Sequence, residues 1–200
     1  GNGQLVSMAF GETAAAAADA NGGVWFWGEG HAAPALTLPR HGIIKVAVGS
    51  RESFALTKSG RVLTWTNSDP AAVTTVHVPE AWWRRVLFLG GVTDIAANGE
   101  TFACVTRSGI AYGRGNGRQG QLGRRVASSE ETEMELRPMD MPSGEAAAGI
   151  ALGGSHTLIL TKRGTVLACG ADGAMQLGRG RAESVTAFEE RGGRASTCFT

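Results

Sequence analysis

The feature that most constrains the fold of this chain is an internal repeat. Four segments align, and each carries a glycine 11 residues after its first position. The segments are 11–28, 49–65, 98–115 and 153–170, and the glycines are Gly22, Gly60, Gly109 and Gly164. In the last three segments a threonine stands three residues before that glycine. Repeats of this length predict one supersecondary unit per copy, with each unit stacked on its neighbours to bury a continuous core.

Each repeat unit has the pattern of a β-hairpin. In the second unit an apolar run at 53–57 leads into a polar turn that ends at Gly60, and an alternating run follows at 61–65. A glycine at that point suits the left-handed residue of a three-residue hairpin loop. Further short runs, at 44–48, 93–97 and 148–152 before the hairpins and at 74–78 after the second, bring each unit to three or four strands. Radial stacking of such small sheets is typical of a β-propeller.

Composition agrees with a fold of many short strands and excludes several other classes. The 30 glycines among 200 residues are about twice the usual share. The three cysteines are odd in number and widely spaced, which argues against a disulfide framework or a zinc site and favours a reducing, intracellular setting. No apolar run is long enough to predict a membrane-spanning helix. The net charge of +1 favours neither acidic nor basic partners.

A second motif distinguishes between propeller families. Residues 115–123 and 170–178 follow the third and fourth hairpins, and both end in Gln-Leu-Gly. Together with the run Gly-Gly-Ser-His-Thr-Leu at 153–158, this pattern resembles the repeats of the regulator of chromosome condensation family. The absence of a Trp-Asp pair at a strand end counts against WD repeats, whereas the Gly-Gly pairs leave kelch repeats as an alternative.

The resemblance implies an all-β propeller of tandem regulator-of-chromosome-condensation-type repeats, with about four blades here and seven in the full ring. We therefore expect a single, partial propeller domain over 1–200. Its units are expected at 6–40, 41–90, 91–145 and 146–184, with a further unit starting at 185–200.

The resemblance also assigns structural positions within the repeats. The family histidine is present only in the fourth unit, as His156, and is replaced by Ala14, Glu52 and Thr101 in the others. Arg114 stands where a tryptophan or cysteine is typical. Apart from His156, the positions expected to be structural are Gly22, Gly60, Gly109, Gly164, Gln121, Leu122, Gly123, Gln176, Leu177 and Gly178.

Two stretches are candidates for partner binding. Trp82, Trp83, Arg84 and Arg85 combine aromatic and arginine side chains in the manner of an interface hot spot, with packing on a neighbouring blade as the alternative. The densest basic stretch includes Arg118, Arg124 and Arg125. One interpretation is that this stretch binds nucleic-acid phosphate or an acidic protein surface. The alternative is that it forms a loop face that contacts only solvent.

The sequence contains no catalytic triad and no carboxylate pair at an informative spacing, so we predict neither an enzyme nor a cofactor, metal site, small-molecule substrate or membrane contact. The predicted function is a protein-interaction platform, as a module or subunit of a larger assembly. The alternative implied by the resemblance is guanine-nucleotide exchange on the small GTPase Ran, with chromatin binding. The expected compartment is nuclear or cytoplasmic, with an organelle or cilium as further alternatives.

Overall fold

A computed structural model describes residues 4–28, 30–38, 41–79, 90–124, 132–178 and 185–190. Within these residues the chain forms four sheets, each made of four consecutive antiparallel strands. The first strands of successive sheets pack side by side, so the sheets follow one another as the blades of a propeller. The prediction of an all-β propeller with about four blades is confirmed.

The strands of each blade follow one another directly along the chain. Blade 1 contains β1 (Leu5–Phe10), β2 (Ala14–Asp19), β3 (Val24–Gly28) and β4 (His31–Leu38). Blade 2 contains β5 (Ile43–Val48), β6 (Glu52–Thr57), β7 (Val62–Thr66) and β8 (Asp69–Thr75). Blade 3 contains β9 (Val92–Asn98), β10 (Thr101–Thr106), β11 (Ala111–Asn116) and β12 (Thr132–Pro138). Blade 4 contains β13 (Ala147–Leu152), β14 (His156–Thr161), β15 (Val166–Gly170) and β16 (Val185–Glu190).

Two strands differ from the expected positions. We expected a further unit to start at 185, but β16 pairs with β15 and completes blade 4. Likewise β8 lies earlier than the expected run at 74–78. Both are outer strands, which follow the third strand of their blade and carry a weak apolar pattern. For such strands the sequence does not distinguish the end of one blade from the start of the next.

Each hairpin turn is closed by one side chain at its first position. Thr57 Oγ1 accepts the backbone N–H of Arg61 at 2.9 Å. The same bond recurs in the turns that follow Thr106 and Thr161. Blade 1 has no such threonine, but Asp19 occupies its position and accepts the N–H of Gly23 at 3.0 Å. A short oxygen-bearing side chain at this point is therefore common to all four turns.

The turn glycines also hold neighbouring blades together. The carbonyl of Gly60 accepts the N–H of Val92, the first residue of blade 3, at 2.9 Å. Equivalent bonds join Gly22 to Ile43 at 3.3 Å and Gly109 to Ala147 at 2.8 Å. These three glycines have φ angles between 77° and 87°, which a residue with a Cβ adopts only with strain. Glycine is thus required both by the turn and by the close approach of the next blade.

The core is divided among the seams between blades, because alternate residues of a strand point to opposite faces. On β10, Phe102 and Cys104 pack toward blade 2, whereas Ala103 and Val105 pack toward blade 4. In the first seam Trp65 is 1% exposed. Burying a side chain of this size contributes about 1.5–3 kcal/mol.

The tryptophans do not all serve this core. Trp25 is 36% exposed, and its indole N–H donates to the carboxylate of Asp19 at 2.9 Å. No helix in the described part of the chain is long and apolar enough to cross a membrane.

Candidate protein-interaction surface

The two ends of the strands form two different faces of the propeller. The hairpin turns between second and third strands, around Gly60 and its equivalents, lie on one face, which we call the turn face. The connections between first and second strands lie on the opposite face, which we call the loop face. In blades 2 and 3 these connections are residues 49–51 and 99–100.

Two departures from the repeat pattern meet on the loop face. Glu52, which replaces the histidine in blade 2, accepts a hydrogen bond from Arg114 Nη2 of blade 3 at 2.7 Å. The Arg114 guanidinium lies 5.7 Å from the centre of the Phe54 ring and 5.9 Å from that of Phe102. These two rings stack at 4.0 Å across the seam. The substitutions at 52 and 114 thus form an ion pair that rests on an aromatic stack.

A groove of about 250 Å³ opens beside this ion pair, between blades 2 and 3. Phe54, Phe102 and Arg114 belong to its lining, together with Arg51, Glu100 and Met134. We call it the seam groove. A concave, largely apolar site with a few charged groups is the form in which proteins bind a side chain or small group of a partner.

The exposed groups of the seam groove are chemically mixed. Met134 on β12 is 69% exposed and provides an apolar side chain at the surface. The Arg51 side chain is 84% exposed, and its guanidinium lies 3.5 Å from the carboxylate of Glu100. The groove therefore offers an apolar contact beside both signs of charge.

His156 packs against Gly153 in the connection between β13 and β14. A Cβ built on Gly153 would lie 2.0 Å from Cε1 of the imidazole, so the ring occupies the space that a side chain at 153 would need. The backbone N–H of Gly153 also donates to the His156 carbonyl at 2.9 Å. Among the described residues, no three histidine, cysteine or acidic side chains come close enough to hold a metal ion.

The Gln-Leu-Gly loops share one internal hydrogen bond. Gln121 Oε1 accepts the N–H of Gln119, and Gln176 Oε1 accepts that of Ala174, both at 2.9 Å. The leucines that follow, Leu122 and Leu177, are buried. The repeated motif therefore specifies a loop conformation and a core contact.

The first of these loops, at 115–123, also contacts blade 4. Thr157 of blade 4 donates its hydroxyl to the carbonyl of Gln121 at 2.6 Å. Gly123 lies so close to Phe188 of blade 4 that an added Cβ would meet its ring at 2.3 Å. Gly178, at the end of the second loop, is exposed.

The predicted basic stretch is divided by the fold. Arg124 is 7% exposed and donates to the carbonyls of Gly113 at 3.1 Å and Arg137 at 3.3 Å. The expectation that Arg124 contacts a partner does not hold, because its guanidinium binds backbone inside blade 3. Arg118 is exposed on the loop that follows β11. Arg125 lies outside the described residues, as do Trp82, Trp83, Arg84 and Arg85.

The seam groove was not predicted from the sequence. The residues at 52 and 114 were expected to depart from the repeat pattern, but no pairing was expected between them, and Arg51 and Met134 were not among the candidates. A signal for the pairing was present, since a glutamate and an arginine replace the typical residues at matching ends of adjacent blades.

Comparisons with known proteins agree with this architecture. Residues 148–174 match the family model "Regulator of chromosome condensation (RCC1) repeat". The human E3 ubiquitin-protein ligase HERC2 is 34% identical over 145 residues, which cover 69% of this chain and 3% of HERC2. The Arabidopsis thaliana RCC1 domain-containing protein RUG3, mitochondrial, is 31% identical over 181 residues, which cover 80% of this chain and 40% of RUG3. The chain belongs to the regulator of chromosome condensation repeat family.

The crystal structure of Prp20p from Saccharomyces cerevisiae shows the same fold. It superposes with a TM-score of 0.75 at 16% identity, over 98% of this chain and 52% of Prp20p. This regulator of chromosome condensation repeat propeller thus spans about half of Prp20p and smaller shares of its two curated relatives.

Proposed function

We propose that this propeller is a protein-interaction platform that works as a module or subunit of a larger assembly. The observation that carries the proposal is the seam groove, where the exposed Met134 lies in the same lining as the Phe54 and Phe102 rings. Buried aromatic pockets surrounded by polar groups are where interfaces concentrate their binding free energy. The partner is expected to insert an apolar side chain into the groove.

The charged side chains of the groove would orient a bound partner. Arg114 and Glu52 already form an ion pair with one another, so a partner does not have to neutralise them. Arg51 and Glu100 are more exposed and carry opposite charges, which favours a partner with a complementary polar pair and disfavours others. We expect Met134 to provide affinity and Arg51 to provide specificity.

The test uses two exposed substitutions that leave the core intact. Met134→Asp should weaken binding of the stoichiometric partner at least tenfold, because a buried apolar contact of about 1.5–3 kcal/mol is lost. Arg51→Glu should weaken it through charge reversal. Leu36→Asp is the matched control, since Leu36 lies on the fourth strand of blade 1 and is 46% exposed. The partner is identified by cross-linking with the unaltered chain, and dissociation constants are then measured on purified proteins. Retention of affinity by Met134→Asp would exclude the groove.

The second candidate is guanine-nucleotide exchange on Ran with chromatin binding. It is supported by the likeness to Prp20p, which binds Gsp1p and histones. The measurement is release of a fluorescent guanine nucleotide from Ran. Acceleration at nanomolar concentrations of this protein would establish exchange and overturn a role confined to partner binding.

We propose that the remaining residues predicted from the sequence to bind a partner also contact it. Trp82→Ala with Trp83→Ala tests the aromatic pair, and Arg84→Glu with Arg85→Glu tests the arginines beside it. Arg118→Glu with Arg125→Glu tests contact with phosphate or chromatin. Nucleic-acid affinity that is unchanged by the charge reversal would remove the phosphate contact. A nuclear or cytoplasmic compartment is proposed, to be tested by imaging of the tagged full-length protein.

A further inference from the structure

We propose that the turn face carries a binding site for a phosphate monoester, presented as a phosphorylated serine or threonine of a partner protein. The site is a cavity of about 430 Å³ between the hairpin turn of blade 2 and the start of blade 3. We call it the turn-face cavity. It lies on the face opposite the seam groove and shares no lining residue with it.

Basic side chains from three parts of the chain line the turn-face cavity. Arg61 follows the blade 2 turn, His77 lies in the connection to blade 3, and Arg107 begins the blade 3 turn. All three are exposed, and the described lining residues include no aspartate or glutamate. Lys162 adds a further cation, since its ammonium lies 3.0 Å from the carbonyl oxygen of Arg107.

Within the described part of the chain, no acidic side chain is paired with the arginines of this cluster. Among the ion pairs of the described residues, none involves Arg61 or Arg107. On the same face, the carboxylate of Glu145 is bound by Arg163 at 3.0 Å. Converging like charges without counter-charges produce a positive potential that attracts an anion.

The groups in the cavity match a phosphate more closely than a carboxylate. Two guanidinium groups provide planar forks of donors, which bind phosphate oxygens in pairs, and a phosphate monoester carries nearly two charges. Ser59, which also lines the cavity, provides a hydroxyl. This donor set is the one that proteins use for phosphorylated side chains.

The rest of the lining indicates that the phosphate is attached to a peptide. Four valines, at 62, 76, 78 and 92, provide apolar surface that a free phosphate would leave unused. Duplex nucleic acid is bound by charges that neutralise several phosphates along a surface, whereas these arginines converge on a single cavity. A phosphorylated side chain with apolar neighbours uses both parts of the site.

The walls of the cavity are held in place by the fold. The N–H of Arg61 donates to Thr57 Oγ1 at 2.9 Å within the blade 2 turn. Beyond His77, the phenol of Tyr112 donates to the carbonyl of Pro79 at 3.2 Å. The backbone that carries Arg61 and His77 is therefore positioned before a ligand arrives, which lowers the entropic cost of binding.

The test measures binding of a fluorescent heptapeptide pool with a central phosphoserine and degenerate flanking positions. Pools with serine or glutamate at the centre are the comparisons. We expect the phosphoserine pool to bind at least tenfold more tightly than either. Arg61→Ala and Arg107→Ala should each weaken it about tenfold, as expected for a charge-assisted hydrogen bond. Arg137→Ala, at an exposed arginine on the outer strand of blade 3, is the matched control and should change nothing.

Three outcomes would overturn the inference. The first is equal binding of the three pools. The second is competition by inorganic phosphate at the concentration at which the phosphopeptide competes, which would indicate a site for free phosphate. The third is displacement of the phosphopeptide by a 20-base-pair DNA duplex, together with an equal loss of phosphopeptide affinity in Arg137→Ala, which would indicate unspecific attraction between charges.

The inference rests on the proposed function in taking a protein as the partner, but the two fail separately. Met134→Asp tests the seam groove and should leave binding of the phosphoserine pool unchanged. The phosphoserine pool could fail to bind while Met134→Asp still weakens binding of the stoichiometric partner. That result would support the protein-interaction platform and exclude the phosphate site.

Discussion

The carboxylate of Asp94 on β9 accepts the backbone N–H of Ile150 on β13 at 2.9 Å, across the seam between blades 3 and 4. The other oxygen of the same carboxylate accepts a hydrogen bond from Lys45 Nζ of blade 2. One side chain thus joins the first strands of three consecutive blades. Ser7 makes the corresponding bond between blades 1 and 2, with the N–H of Val46 at 3.1 Å.

These bonds depend on a bulge that recurs in the first strand of every blade. The pairing register shifts just before Ser7, Lys45, Asp94 and Gly149, which occupy equivalent positions. A bulge bends the strand and changes the direction of the side chain that follows. The strand that faces the next blade can therefore offer a polar side chain to it.

Replacing Asp94 should weaken the contacts of blade 3 with both blade 2 and blade 4. Asp94→Ala leaves the Ile150 N–H without its acceptor, so we expect the free energy of unfolding to fall by about 2–3 kcal/mol. Lys45→Ala should cost about 1 kcal/mol or less, because the Lys45 side chain is 40% exposed and the ion pair is partly screened. Urea denaturation followed by tryptophan fluorescence measures both. Equal losses would show that the bond to Ile150 contributes little.

The turn glycines provide a matched pair of substitutions. Gly109 and Gly164 have φ angles of 87° and 84°, so alanine is strained to the same extent at both. A Cβ at 109 would lie 2.7 Å from Cβ of Ala146, whereas a Cβ at 164 meets nothing within 4 Å. We expect Gly164→Ala to cost about 1 kcal/mol and Gly109→Ala about 2–3 kcal/mol. Thermal denaturation of the two variants gives the difference, which isolates the contact between blades.

The pairing of Glu52 with Arg114 is expected to be energetically coupled. In a double-mutant cycle of Glu52→Gln and Arg114→Met, the interaction should be about 1 kcal/mol, since the Arg114 side chain is only 17% exposed. The cycle of Glu135→Gln and Arg137→Met is the control, because both of those side chains are more than half exposed. That exposed pair should show less than about 0.5 kcal/mol. Equal coupling in the two cycles would contradict a specific role for the aromatic stack.

The thiol of Cys169 should be inert in the folded protein. Burial raises the pKa of Cys169 to about 12, whereas an unfolded cysteine ionises near pH 8.5. A folded group with a raised pKa stabilises the protein below the unfolded pKa, and this contribution is lost as pH rises toward the folded pKa. The difference in unfolding free energy between the unaltered chain and Cys169→Ala should therefore shrink between about pH 9 and pH 12.

The rate of chemical modification is an independent test of whether the Cys169 thiol is buried. In a Cys104→Ala, Cys198→Ala background, a disulfide reagent at pH 8 should modify Cys169 only after denaturant is added. Fast modification of the native protein would mean that the thiol reaches solvent.

Met175 holds a conformation that glycine would adopt more readily. Its φ is 57°, and the equivalent residue of the preceding loop is Gly120, with a φ of 83°. Met175 is also 59% exposed, so little packing is lost on its removal. We expect Met175→Gly to stabilise the protein by about 0.5 kcal/mol, because the relief of left-handed strain exceeds the entropic cost of glycine. Ala174→Gly, next to it without a positive φ, should destabilise, and a gain there would contradict the explanation.

The sequence alone determined the repeating unit of this protein. Hairpins, their glycine turns and the Gln-Leu-Gly loops are local, since each depends on residues within one unit, and repetition makes them visible. Periodicity also predicted the inner strands closely, with β5, β9 and β13 each within one residue of the expected runs. It failed at β16, because an outer strand after a long loop has no local signal that assigns it to a blade.

Only the tertiary structure decided which units meet and through which side chains. Glu52 and Arg114 are 62 residues apart, and Asp94 and Ile150 are 56 apart, so their pairing depends on how the blades stack. Arg124 belonged to a basic stretch in the sequence but is buried against backbone carbonyls in the fold. Arg61, His77 and Arg107 form no motif along the chain, yet stacking of blades 2 and 3 places them around one cavity. Local residues determine a blade, whereas the seams that carry the candidate sites depend on the relative positions of two blades.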